Sequence, residues 1–147
     1  MREIKFRGYV IEELIGTQWV TDGFGVGKTE YTDGTNSVYL STPYGEYIVD
    51  EKSVGQYTGL KDIKGKEIYE GDIVKVTIKY YTDCSKEKLD RKKVTIEIVS
   101  FDYYTFGLKE AKDDESITPL LWLVSLEAKL EVIGNIYENP ELLKKLK

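Results

Sequence analysis

The stretch Gly23–Thr29, GFGVGKT, ends in the Gly-Lys-Thr of a phosphate-binding loop. That loop cradles phosphates with backbone N–H groups and needs a further glycine five positions before Gly27. This chain has Asp22 there, and an acid at that point repels phosphate. The residues that follow, EYTDGTNSVYL, read as strand and turn, so no helix N-terminus is at hand to hold an anion. The stretch therefore reads as a glycine-rich strand or bulge in a hairpin. The same reasoning removes a dinucleotide site.

Carboxylates are plentiful. Glu67, Glu70 and Asp72 lie close together, and Asp113, Asp114 and Glu115 form a run. Paired acids can perform glycosidic chemistry or hold magnesium. Neither group has the spacing of a calcium loop, and a solvated acidic turn accounts for both. Histidine is absent, which removes the commonest general base and metal ligand. The single cysteine, Cys84, excludes an intrachain disulfide and tetrahedral zinc or iron–sulfur sites. Cys84 lies among Asp83, Ser85 and Lys86 and reads as a structural or incidental thiol. No catalytic residue, metal or cofactor is expected.

One local basic stretch remains, Lys86–Lys93, KEKLDRKK. With Tyr80, Tyr81, Tyr103 and Tyr104 it forms a candidate basic-aromatic surface for single-stranded nucleic acid. Lys88, Arg91, Lys92 and Lys93 are the candidate contacts. The competing reading is a solvated hairpin tip, favoured by the net charge of −5 and the acids that interrupt the run.

These candidates must be positioned by short strands. Ile4, Phe6 and Gly8 alternate with charged residues, the period of a half-buried strand. The TDG triplets at Thr21–Gly23 and Thr32–Gly34 read as turns, with strands at Val26–Tyr31, Ser37–Leu40 and Glu46–Val49. KDIKGKEIY is a turn between two short strands, and EGD a second tight turn. Ile73–Thr82 and Val94–Phe101 alternate, with the polar loop or hairpin tip Asp83–Lys93 between them. Tyr104–Leu108 is a candidate partner strand. Leu120–Leu126 is a strand or a short helical turn. Leu130, Val132, Gly134 and Ile136 share one face of a last strand. A short C-terminal helix is expected from Asn139 as cap, Pro140 at its first position and late lysines. Many short strands with frequent turns point to a small barrel or roll.

A chain of 147 residues suffices for one domain or two small lobes. Its longest apolar run, Ile117–Leu126, is too short to cross a membrane, and the charged N-terminus carries no signal-peptide core. The lone thiol suits a reducing cytoplasm.

The stretch QYTGLKDIKGKEIYEGDIVKV, Gln56–Val76, closely resembles the signature of the YopX family of bacteriophage and prophage proteins. MREIKFRGY at the start is similar to that family's opening strand, and LEVIGNIYENPELL, Leu130–Leu143, to its ending. The resemblance implies a mainly β fold. Residues 53–147 would form an SH3-like β-barrel or roll with the short helix, and residues 1–52 an N-terminal β-rich hairpin lobe. It implies a phage or prophage origin in a bacterial cytoplasm, and it supplies no catalytic residues. Within the signature, Gly65 is expected at positive φ, and Asp72 is expected to accept a local backbone N–H. Ile68, Ile73 and Val76 are expected in the core.

The first functional expectation is a non-enzymatic protein-binding or assembly module, self-associating or bound to a host or phage protein. The alternative is a nucleic-acid-associated SH3-like barrel using Lys88, Arg91, Lys92 and Lys93. An enzyme with a carboxylate site comes last.

Overall fold

Strand alternation and glycine turns shape most of this chain. The computed structural model describes residues 3–12, 19–82, 85, 88–102, 105–109 and 117–146. They are mainly β and fall into two units, Met1–Gly59 and Leu60–Lys147.

The first unit holds β1 (Phe6–Tyr9), β2 (Trp19–Gly23), β3 (Gly25–Glu30), β4 (Asn36–Thr42), β5 (Gly45–Val49) and most of β6 (Gly55–Lys61). β1 lies between β2 and β6, and β4 lies between β3 and β5, all antiparallel. β4 alternates cleanly. Val38, Leu40 and Thr42 are buried, while Ser37, Tyr39 and Ser41 face outward. Val38 and Leu40 form a core with Val10 and Val49.

Thr32–Gly34 is the expected turn, with Gly34 at φ 88°. Thr21–Gly23 is not a turn, because all three residues belong to β2. Gly23 is there to make room: a Cβ on it would fall inside the Leu40 side chain.

The second unit carries β7 (Glu67–Tyr69), β8 (Asp72–Tyr81), β9 (Leu89–Asp102), β10 (Thr105–Lys109), β11 (Thr118–Pro119), α1 (Leu120–Ser125) and β12 (Lys129–Asn135). Five strands form one antiparallel sheet in the order β11-β10-β9-β8-β12. Its inner face presents Val74, Val76, Val99, Leu108 and Leu130 to Ile68 and to Leu120 and Leu123 of α1. Among the described residues no sheet closes into a barrel, and β11 and β12 are the outermost strands of this one.

The expected C-terminal helix is wound as a 3₁₀ helix over Pro140–Leu146. Its Leu142 N–H donates to the Asn139 carbonyl at 3.1 Å, an i to i−3 bond. The Asn139 side chain does not cap forward; its Oδ1 accepts from Asn135 N–H at 3.3 Å. Among the described residues no helix is long and apolar enough to cross a membrane.

Candidate functional site

The signature stretch is built as scaffold. The Asp62 carboxylate is buried and accepts three backbone N–H groups. Oδ1 takes Lys64 N–H at 2.9 Å and Lys66 N–H at 2.8 Å, and Oδ2 takes Val132 N–H at 2.9 Å. The turn is completed by Asp62 N–H to the Lys66 carbonyl at 2.7 Å, with Gly65 at φ 82°. Ile63 N–H donates to the Leu130 carbonyl at 3.0 Å, so the turn is tied to β12 twice. Burial pushes the Asp62 pKa up, but the three N–H donors, aided by nearby Lys66, outweigh it and hold the group below its ordinary value.

The second turn follows the same logic. Gly71 has φ 92°, its N–H donates to the Val99 carbonyl at 2.9 Å, and its carbonyl accepts from Ile136 N–H at 2.9 Å. The buried Asp72 accepts Tyr69 N–H at 2.7 Å, as expected from sequence. Ile68, Ile73 and Val76 are fully buried, also as expected. Glu67 meets the Tyr69 hydroxyl at 3.3 Å. Among the described residues no cluster of acids and sulfur can hold a metal ion. Cys84 and Asp113–Glu115 lie outside the described residues.

Asp62 is the residue that sequence reading passed over. The signal was available: an Asp two residues before Lys64 and three before Gly65 has the spacing of an Asx turn. Its bond to a strand 70 positions away was not readable.

The four candidate cations lie at and beside the start of β9, which the sequence placed in a loop. β8 and β9 form a long antiparallel ribbon, with Ile78 opposite Lys93, Lys79 opposite Lys92, and Tyr80 opposite Arg91. Opposed residues share a face, and successive residues alternate faces. Arg91 and Lys93 therefore project on one side, while Lys92 projects on the other beside Lys79. Lys88 sits just before the strand. All four are exposed. The Arg91 guanidinium stacks over the Tyr80 ring at 4.5 Å from its centroid. Tyr103 and Tyr104 are not among the described residues. The cations do not converge on one pocket; they line both faces of a ribbon.

The Gly-Lys-Thr of the decoy loop lies in β3, a strand, and binds no phosphate by the loop mechanism. β3 is an edge strand of its sheet, and Val26–Glu30 are all exposed. Gly25 and Gly27 have no atom within 4 Å of an added Cβ, and neither has positive φ. Among the described residues nothing inside the unit requires glycine at either position. Gly27 lies opposite Tyr39 of β4, whose hydroxyl meets that of Tyr31 at 3.2 Å.

Buried turn carboxylates, glycine-set reversals and antiparallel sheets define a mainly β scaffold whose polar residues within the signature hold the chain in shape. The chain matches the family model described as YopX protein over residues 5–144, and it belongs to the YopX family. It is similar to the crystal structure of protein YopX from Bacillus subtilis, at 26% identity over 97% of this chain and 98% of that one, with a TM-score of 0.50. A protein from Enterococcus faecalis is similar at 23% identity, covering 97% of this chain and 99% of its own, with a TM-score of 0.49. No curated protein matches the chain.

Proposed function

We propose that this chain is a non-enzymatic protein-binding module that pairs with a second copy of itself along β3. The observation that carries the reading is the pair of glycines, Gly25 and Gly27, on a largely exposed edge strand where, among the described residues, neither packing nor backbone conformation asks for them. Glycine inside a strand weakens it, and a common reason to keep it is the close approach of another backbone. An open edge also offers a row of N–H and C=O groups to an incoming strand. Two copies of β3 running antiparallel, with Thr29 opposite Thr29, place Lys28 opposite Glu30 on both sides, so the edge is complementary to itself in charge.

Light scattering across concentration tests this. Lys28→Glu and Glu30→Lys should each weaken the dimer, and the double variant should restore it. Lys28 also meets Glu51 at 3.3 Å, but both are exposed, so its loss costs the folded chain little. Gly27→Val should lower association while leaving the monomer at least as stable as before. A strictly monomeric protein, or a double variant that stays weakened, sinks the proposal.

For the second unit we read an SH3-like topology, opened rather than closed. Its support is the meander β8-β9-β10, the short helix α1 after it, and the return of β12 to the free side of β8. A phage or prophage setting in a bacterial cytoplasm is proposed on family membership and the single cysteine. A second functional reading, association with nucleic acid, is favoured by one observation: the exposed cations of the β8–β9 ribbon.

A further inference from the structure

We propose that the outer half of the β8–β9 ribbon enters the major groove of duplex DNA; the inference rests on the nucleic-acid reading and names its substrate and geometry. From Leu89 to Val94 six consecutive residues of β9 are exposed; on β8, Ile78 opposite Lys93 still packs against the core, so the uncovered part of the ribbon lies beyond it. Lys79 and Lys92 lie on one face, and Arg91 and Lys93 on the other. A flat partner engages one face of a sheet. A groove has a phosphate wall on each side, and cations on both faces of a two-stranded ribbon match that arrangement. The major groove, about 12 Å wide, admits such a ribbon.

A second observation supports an anionic occupant. Lys79 and Lys92 are directly opposed across the two strands. Like charges in that position destabilise the pairing, and bound phosphate relieves the repulsion. The sequence from Thr77 to Val94 holds six cations against three acids, Asp83, Glu87 and Asp90, and Asp90 lies at the irregularity in register where Tyr80 opposes Arg91 and Tyr81 opposes Leu89. This local excess of cations stands on a chain of net charge −5, so it is not a by-product of composition. The paired stretch beyond Ile78, Lys79–Tyr81, spans about 10 Å at the rise of a strand, enough to follow a groove for roughly a third of a helical turn. Arg91 is already held by Tyr80, which reduces the side-chain freedom lost on binding.

The test is fluorescence anisotropy of the full chain with a labelled 20-base-pair DNA duplex, compared with the same single strand, a duplex RNA and a poly-glutamate of matched charge. Binding to the DNA duplex is expected in the micromolar range at low salt. Neutralising five phosphates predicts a slope near −4.5 in log K against log salt, so affinity should fall roughly 500-fold between 50 and 200 mM. The double variants Lys79→Gln/Lys92→Gln and Arg91→Gln/Lys93→Gln each alter one face. Groove insertion predicts that both lose about tenfold or more, with circular dichroism unchanged because all four residues are exposed. Loss from one face only, or equal binding of the single strand or duplex RNA, overturns groove insertion and leaves nucleic-acid association standing. Absence of binding to every nucleic acid at 50 mM salt, or equal binding of poly-glutamate, overturns both.

Discussion

Replacing Asp62 should unlock the second unit more than any other change in the signature turn. Its carboxylate accepts Lys64, Lys66 and Val132 N–H groups at 2.8 to 2.9 Å. Hydrogen bonds to a charged acceptor contribute roughly 1.5–3 kcal/mol each. The Lys64 and Lys66 side of the turn borders solvent, so water replaces much of that part; the N–H of Val132 lies within a strand that flanks β8. Asp62→Ala should therefore cost about 3 kcal/mol, and Asp62→Asn about 1–2 kcal/mol, since the amide keeps one acceptor oxygen and turns a donor toward the other site.

Amide hydrogen exchange at Val74, Val76 and Val99 reads the second unit by itself. A loss of about 3 kcal/mol corresponds to exchange roughly 150-fold faster. The pH dependence has a defined sign. The folded pKa lies below the ordinary value of 3.8, so the stabilisation is fully present above that value and is lost as pH falls through the folded pKa. The gap between wild type and Asp62→Asn, measured by urea unfolding, should narrow as pH drops below about 4. An Asp62→Ala protein within about 0.5 kcal/mol of wild type at neutral pH would refute the reasoning.

Two further outcomes follow from glycines with different tasks. A Cβ at Gly134 would sit 2.7 Å from Asn139 Oδ1 and 2.9 Å from Leu142 Cδ1. Gly134→Ala should displace the C-terminal 3₁₀ helix, seen as faster proteolysis after Asn139 while Val99 stays protected; unchanged cleavage would contradict it. Gly65 has open space around it but φ 82°, so Gly65→Ala should cost about 1–2 kcal/mol from backbone strain alone, while Gly65→Asn should cost less, as urea unfolding can measure.

Most strands were legible because one face of each is buried. Ile73–Thr82 and Val94–Phe101 showed their alternation; β8 covers the first as far as Tyr81, and the second lies within β9. β9 begins at Leu89, and its first residues gave no strand signal because Leu89–Val94 are all exposed, which leaves no apolar-polar alternation to read. Two TDG triplets looked alike, yet only Thr32–Gly34 turns. Gly23 answers to Leu40, a packing neighbour far along the chain. The C-terminal residues carried every local mark of a helix. Asn139 bonds backward to Asn135 and Leu142 lies close to Gly134, and these tertiary contacts accompany the tighter 3₁₀ winding. For the candidate cations, the sequence showed their proximity but could not show that alternation sends Lys92 to the opposite face from Arg91 and Lys93.

The place of β12 sets an order of events during synthesis. β8 lies between β9, the next strand in the sheet, and β12, which follows some fifty residues later. A ribosome that has released the signature turn and β8 has not yet made the strand that takes Ile63 and Val132 into register with Asp62. Until Lys129–Asn135 emerges, one edge of β8 waits without its partner, and the carboxylate of Asp62 holds only its local turn. The second unit is thus completed only once Lys129–Asn135 has been translated. A nascent chain arrested before Lys129 would carry that open edge, the kind of surface on which chaperones act and to which stray strands add.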